Sequence, residues 1–136
     1  MLKVLCVAPL LLIGAALAYP AFATTADDKA EGPPLAHMVF FTLKDHSKES
    51  VDAFVADCEK FLGEHEGTVY FSVGRRAEDV EEPSSVKDFD VALHLVFADR
   101  KYRDKYLESP RHDDFVAAIK DKLEKASVFD SYLSKP

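Results

Sequence analysis

Residues 89–97, FDVALHLVF, alternate along their whole length. Successive side chains of a strand point to opposite faces, so Phe89, Val91, Leu93, Leu95 and Phe97 share one side. The other side carries Asp90, Ala92, His94, Val96 and Ala98, and it is not very polar either. An apolar sheet face is rarely left to water. One layer of helices covers only one face, so this segment constrains both the fold and what the fold must meet.

The neighbouring segments supply the layers. HMVFFTLK (37–44) reads as a strand, β-branched and aromatic without breakers, with His37, Val39, Phe41 and Leu43 on one face. In 47–67, Val51, Phe54, Val55, Cys58, Phe61 and Leu62 recur at intervals of three and four, the stripe of an amphipathic helix with a cap near Ser47. TVYFSVGRR (68–76) is a second strand, and Gly74 in it predicts a bulge or bend. Residues 77–88 are a charged loop, long enough to act as a lid or rim. After 89–97, a short helix capped by Asp99 ends at Pro110, and Ser109 can cap a further helix bearing Phe115, Ala118, Ile119 and Leu123 on one side. ASVFDSYL (126–133) closes the chain as a strand.

The order is β-α-β-β-α-β, a ferredoxin-like α+β plan with a four-stranded antiparallel sheet and helices on one face. The uncovered face then carries Met38, Phe40, Tyr70, Ala92, His94 and Val96. A second copy would bury it, so a symmetric homodimer is expected.

Upstream of the domain, Met1 to Lys3 form a short basic opening, Val4 to Ala18 are apolar almost throughout, and Ala21-Phe22-Ala23 is a small-x-small pattern. This is the form of a secretory signal peptide over residues 1–23, cut after Ala23 or alternatively after Ala18. The apolar core is shorter than the about 20 residues of a membrane span. Polar residues 24–35, ending in Gly-Pro-Pro before Leu35, read as a disordered spacer, and the domain as residues 36–133. The expectation is an exported protein, periplasmic or secreted, with no membrane contact after cleavage.

A formal net charge of −7 argues against a grip on nucleic acid or an anionic surface. The mature chain would keep a single cysteine, Cys58, whose place in the helical stripe makes it a small buried hydrophobe. No cofactor or metal is expected: His112, Asp113 and Asp114 are adjacent on a helix and point in different directions.

The stretch KYLESPRHDDF (105–115) places Tyr106 and His112 on either side of the Ser109-Pro110 break. A histidine can take or give a proton near neutral pH, and a tyrosine hydroxyl can hold it or polarise a carbonyl. Either residue could instead only pack or cap. His46 and His65 lie in polar stretches and read as solvated, and His94 belongs to the expected interface.

Taken together, HMVFFTLK, VYFSVG, DVALHLVFADR, YLESPRHDDFV and SVFDSYL resemble the stress-responsive A/B barrel (Dabb) family over residues 36–133. The family form at the helix break is His-Pro-x-His-x-x-Phe, and Ser109 stands at the first histidine. The resemblance implies a dimeric α+β barrel in which two four-stranded sheets face each other. It also implies candidate catalytic residues His37, Tyr106 and His112, because related plant polyketide cyclases line a pocket with those positions. A further pocket histidine of the cyclases falls at Val91.

Three readings follow. One is an exported dimer that binds a small apolar or aromatic molecule or serves stress tolerance without catalysis. Another is an enzyme using the two histidines and the tyrosine, cyclase-like or resembling a cofactor-free oxygenase. The third is a non-catalytic structural dimer.

Overall fold

The computed structural model describes residues 30–134. The expected signal peptide, residues 1–23, lies outside them. Four strands, β1 (Leu35–Leu43), β2 (Thr68–Arg75), β3 (Val91–Phe97) and β4 (Leu123–Tyr132), form one sheet in the order β2-β3-β1-β4. Every neighbouring pair is antiparallel. Three helices, α1 (Lys48–Leu62), α2 (Arg100–Leu107) and α3 (Pro110–Ile119), complete the ferredoxin-like α+β plan.

The helix signals act where the sequence places them. Ser47 accepts from the Ser50 N–H to start α1, and Asp99 accepts from the Tyr102 N–H to start α2. Ser109 accepts from the His112 N–H to start α3, with Pro110 in its first turn. Asp99 is buried and also accepts from the Glu31 N–H at 2.8 Å, which ties residues ahead of β1 to the domain.

Alternation sets the faces. His37, Val39, Phe41 and Leu43 of β1 and Val91, Leu93, Leu95 and Phe97 of β3 are all buried against the helices. Val51, Phe54, Cys58 and Leu62 of α1 answer them, joined by Phe115 and Ile119 of α3. Phe54 has no exposed surface, and its ring lies 4.9 Å from that of Phe41. Burial also pushes the Cys58 thiol up to about 12, helped by the charges of Asp57 and Glu59, so it is an inert core group.

Four expectations need correction. The helix stops at Leu62, not at 67: Gly63 is extended, and Glu64 and Gly67 take positive φ of 58° and 72°. A Cβ at Gly67 would run into the Tyr102 ring, so glycine is required there on two grounds. The bulge in β2 falls between Thr68 and Tyr70, while Gly74 pairs regularly with Ala92. Phe89 does not share the helix-side face. β3 begins only at Val91, and the Phe89 ring packs 4.9 Å from Phe40 on the opposite face. Leu123, expected on the last helix, opens β4 and pairs with Leu43.

The face away from the helices carries Met38, Phe40, His94 and Val96, all partly exposed in the single chain. Phe129 of β4 is 60% exposed beside them, its ring 5.8 Å from Phe40.

Phe54→Ala is expected to cost about 3–5 kcal/mol of unfolding free energy. Val86→Ala, at a position 70% exposed, should change it by less than about 0.5 kcal/mol. Paired urea titrations check both.

Candidate functional site

The site is built around Tyr106, on the last turn of α2 and only 2% exposed. Asp99 and Ser109 fix where that turn lies, and the apolar face of α2 puts the ring over the sheet beside Phe97, at 5.2 Å between centroids. Three imidazoles surround the phenol edge-on. His37 is 5.9 Å away, His65 4.9 Å and His112 5.0 Å. Burial raises the pKa of the phenol above its ordinary value of 10.0, and the Cys58 thiol adds to this. No hydrogen bond from a described residue acts on the hydroxyl. At pH 7 it is a neutral donor.

His37 arrives from β1. In the β1–β4 ladder it stands directly opposite Asp130, so both side chains leave the same face. His37 Nδ1 lies 2.7 Å from Asp130 Oδ1, and the Arg103 guanidinium of α2 donates to the other carboxylate oxygen at 2.7 Å. Burial would raise the Asp130 pKa. The hydrogen bond and charge of His37, with the charge of Arg103, more than offset this and hold it below 3.8. Asp130 is therefore ionised and accepts from Nδ1–H, leaving His37 Nε2 as the nitrogen that can exchange a proton.

His112 is held by the helix break. The Ser109 hydroxyl donates to the Tyr106 carbonyl at 2.8 Å and accepts from the His112 N–H at 3.2 Å. One side chain thus ends α2 and starts α3, which brings residues 106 and 112 to one ring contact. Burial lowers the His112 pKa below 6.5. Asp113 opposes this, and the His37 and His65 charges reinforce it.

His37, Tyr106 and His112 therefore converge, with Tyr106 between the two histidines. Two further members were not legible as such. Asp130 becomes visible only once the β1–β4 register is known. His65, expected to be solvated, is half-buried against Tyr106, and the signal was its bracket of glycines, Gly63 and Gly67. Burial lowers its pKa as well; the Phe61 carbonyl opposes this, and Arg111 reinforces it.

The remaining candidates fall elsewhere. His46 is 60% exposed yet bonds the Asp90 carboxylate at 3.0 Å, so it is paired as well as solvated. His94 lies on the open face, its Nδ1 3.0 Å from the Met38 sulfur. Val91 is fully buried core. Asp113 and Asp114 are exposed, and no group of three His, Cys, Asp or Glu among the described residues is placed to hold a metal.

A cavity of about 680 Å³ lies under the loop joining β2 to β3, at the Thr42–His46 end of the domain. A smaller one of about 220 Å³ is lined by Leu35, Arg100, Arg103, Asp130, Ser131 and Tyr132. It meets the cluster at Asp130. Neither is lined by Tyr106 or His112. The cluster itself is packed ring on ring and reaches the surface where His65 and His112 are half-buried.

The model of the stress-responsive A/B barrel domain matches residues 35–133. The chain belongs to that family. A Dabb family protein with a ferredoxin-like fold from Mesorhizobium loti is 25% identical, with 76% of this chain and all (100%) of that one covered at a TM-score of 0.64. A dimeric ferredoxin-like protein of unknown function from Thermobifida fusca is 15% identical at a TM-score of 0.62, over 76% of this chain and 93% of its own. A hydroxynitrile lyase from Passiflora edulis is 19% identical at the same TM-score of 0.62, over 76% and 96%. These last two share the Dabb protein's fold, and nothing further follows from identities so low. No functionally curated protein matches the chain in sequence.

The two half-buried histidines give this Dabb domain a pH signature. Their folded pKa values lie below 6.5, so the unfolded chain binds more protons in that window. Their contribution is fully present above 6.5 and is lost as pH falls through the lower folded values. The Asp130 contribution has the same sign but is lost only below 3.8. Urea midpoints should be flat above neutrality and fall on acidification. His112→Phe should flatten the first fall and leave the second.

Proposed function

We propose that the chain is a homodimeric small-molecule-binding protein whose site is the imidazole cluster around Tyr106. It takes a small apolar or aromatic molecule bearing a polar group that His37, Tyr106 and His112 engage. The observation that carries this reading is the convergence of three imidazoles, from β1, α3 and the turn after α1, on one phenol ring only 2% exposed.

Catalysis is the second reading, favoured by the 2.7 Å His37–Asp130 pair. An ionised carboxylate that fixes an imidazole's tautomer leaves the far nitrogen ready for general acid–base work. That a hydroxynitrile lyase shares the fold is consistent with proton-transfer chemistry on this scaffold, and it says nothing of this chain's substrate.

The homodimer rests on the open sheet face, where Phe40, Phe129 and Tyr70 would leave water on pairing, and on dimeric proteins of the same fold from Thermobifida fusca and Bacteroides fragilis. Export rests on the sequence pattern of residues 1–23 alone.

Phe129→Glu should convert a dimer to a monomer in sedimentation velocity, since a charge buried without a partner is not tolerated. For the ligand reading, the mature protein is screened by thermal shift against phenolic and polyketide-like compounds. A stabilising hit that disappears in His112→Ala supports the site. No hit, with a variant that only melts lower, would leave packing as the role of the cluster.

A further inference from the structure

His65 is held more firmly than a surface loop requires. Gly63 ends α1, and its carbonyl accepts from Arg111 of α3 at 2.8 Å. On the other flank the Gly67 carbonyl accepts from the Ala98 N–H at 2.8 Å, and Gly67 itself sits flat against Tyr102. The His65 carbonyl accepts from the Thr68 N–H at 3.1 Å. Two residues at positive φ, Glu64 and Gly67, make this five-residue turn tight enough to lay the imidazole on Tyr106.

The ring's own bond fixes its chemistry. His65 Nε2 lies 3.0 Å from the Phe61 carbonyl. A carbonyl only accepts, so Nε2 carries the proton, and in the neutral ring Nδ1 is the acceptor. Burial holds the ring below the ordinary histidine value, which keeps it neutral at pH 7. Its plane stands at 88° to that of Tyr106, with His112 on the same phenol. A helix-capping histidine would need only the bond to Phe61. It would not need to be set edge-on against the buried ring of Tyr106.

We propose that His65 is a ligand-contacting hydrogen-bond acceptor of the Tyr106 site, and that it selects small aromatic molecules bearing a neutral hydroxyl, such as phenols, over carboxylates. This rests on the small-molecule reading above. A neutral acceptor rewards an O–H donor and repels the lone pairs of an anion. The segments around it point the same way. They carry Glu64, Glu66, Glu108 and Asp113 against Lys105 and Arg111, and the arginine is already spent on the Gly63 and Lys60 carbonyls.

The test uses 4-propylphenol, its methyl ether 4-propylanisole, and 4-propylbenzoate, three probes of one apolar body with a donor, no donor and an anion. Calorimetric titration of the wild-type dimer should rank the phenol first, ahead of the ether by about tenfold, the size of one hydrogen bond. His65→Phe should erase that preference while the ether binds as before. Long-range ¹H–¹⁵N spectra of the wild-type protein should show His65 as the Nε2–H tautomer, with Nδ1 shifting when the phenol is added. A phenol preference retained in His65→Phe, or an Nδ1–H tautomer in the wild type, would overturn the role of His65 and leave the small-molecule site standing. Binding of none of the three probes would overturn both.

Discussion

The Ser109 hydroxyl is the joint on which the site depends. It donates to the Tyr106 carbonyl and accepts from the His112 N–H, so a single side chain closes one helix and opens the next. Pro110 makes the break obligatory, since a proline cannot continue α2. A continuous helix would carry residues 106 and 112 past each other by more than one and a half turns. The break folds them back to a ring contact of 5.0 Å. The sheet contributes the other half of the geometry, because the β1–β4 register sets His37 opposite Asp130.

This arrangement concentrates proton-exchanging groups where water is scarce. Burial raises the Tyr106 pKa and lowers those of His65 and His112, which moves all three toward their uncharged forms. The hydrogen bond between His37 and Asp130 is anchored from outside by Arg103. A neutral donor, two neutral imidazoles and one polarised imidazole form a set that can bind and orient a neutral polar group on an apolar body. The cluster is closely packed and reaches the surface at the half-buried edge formed by His65 and His112.

Much of this was legible in the chain because it is written in local periodicity and local caps. The alternation of 91–97, the three- and four-residue spacing of Val51, Phe54, Cys58 and Leu62, and the caps at Ser47, Asp99 and Ser109 each specify their element without reference to the rest. What escaped depends on distant partners. Phe89 continues the alternation of β3, but its neighbour Asp90 is drawn off to accept from the Leu43 N–H and to meet His46, which turns the phenylalanine to the other face. Gly74 looked like a bulge, yet the irregularity went to Val69, next to the strained turn. His65 looked solvated because Glu64 and Glu66 flank it, and only the fold shows that the turn presses it inward. Asp130 gave no local sign, since its partner is 93 residues away in sequence.

The central claim is that the Tyr106 hydroxyl serves a ligand and contributes nothing to packing. Tyr106→Phe tests it most directly, with unfolding free energy and 4-propylphenol affinity measured on the same sample. The ring, its burial and its edge contacts are kept, and only the unpartnered hydroxyl goes. The account predicts stability little changed, because the hydroxyl has no hydrogen bond to a described residue to lose, together with a loss of phenol binding. A clear loss of stability with affinity intact would contradict it, and would make Tyr106 a structural residue.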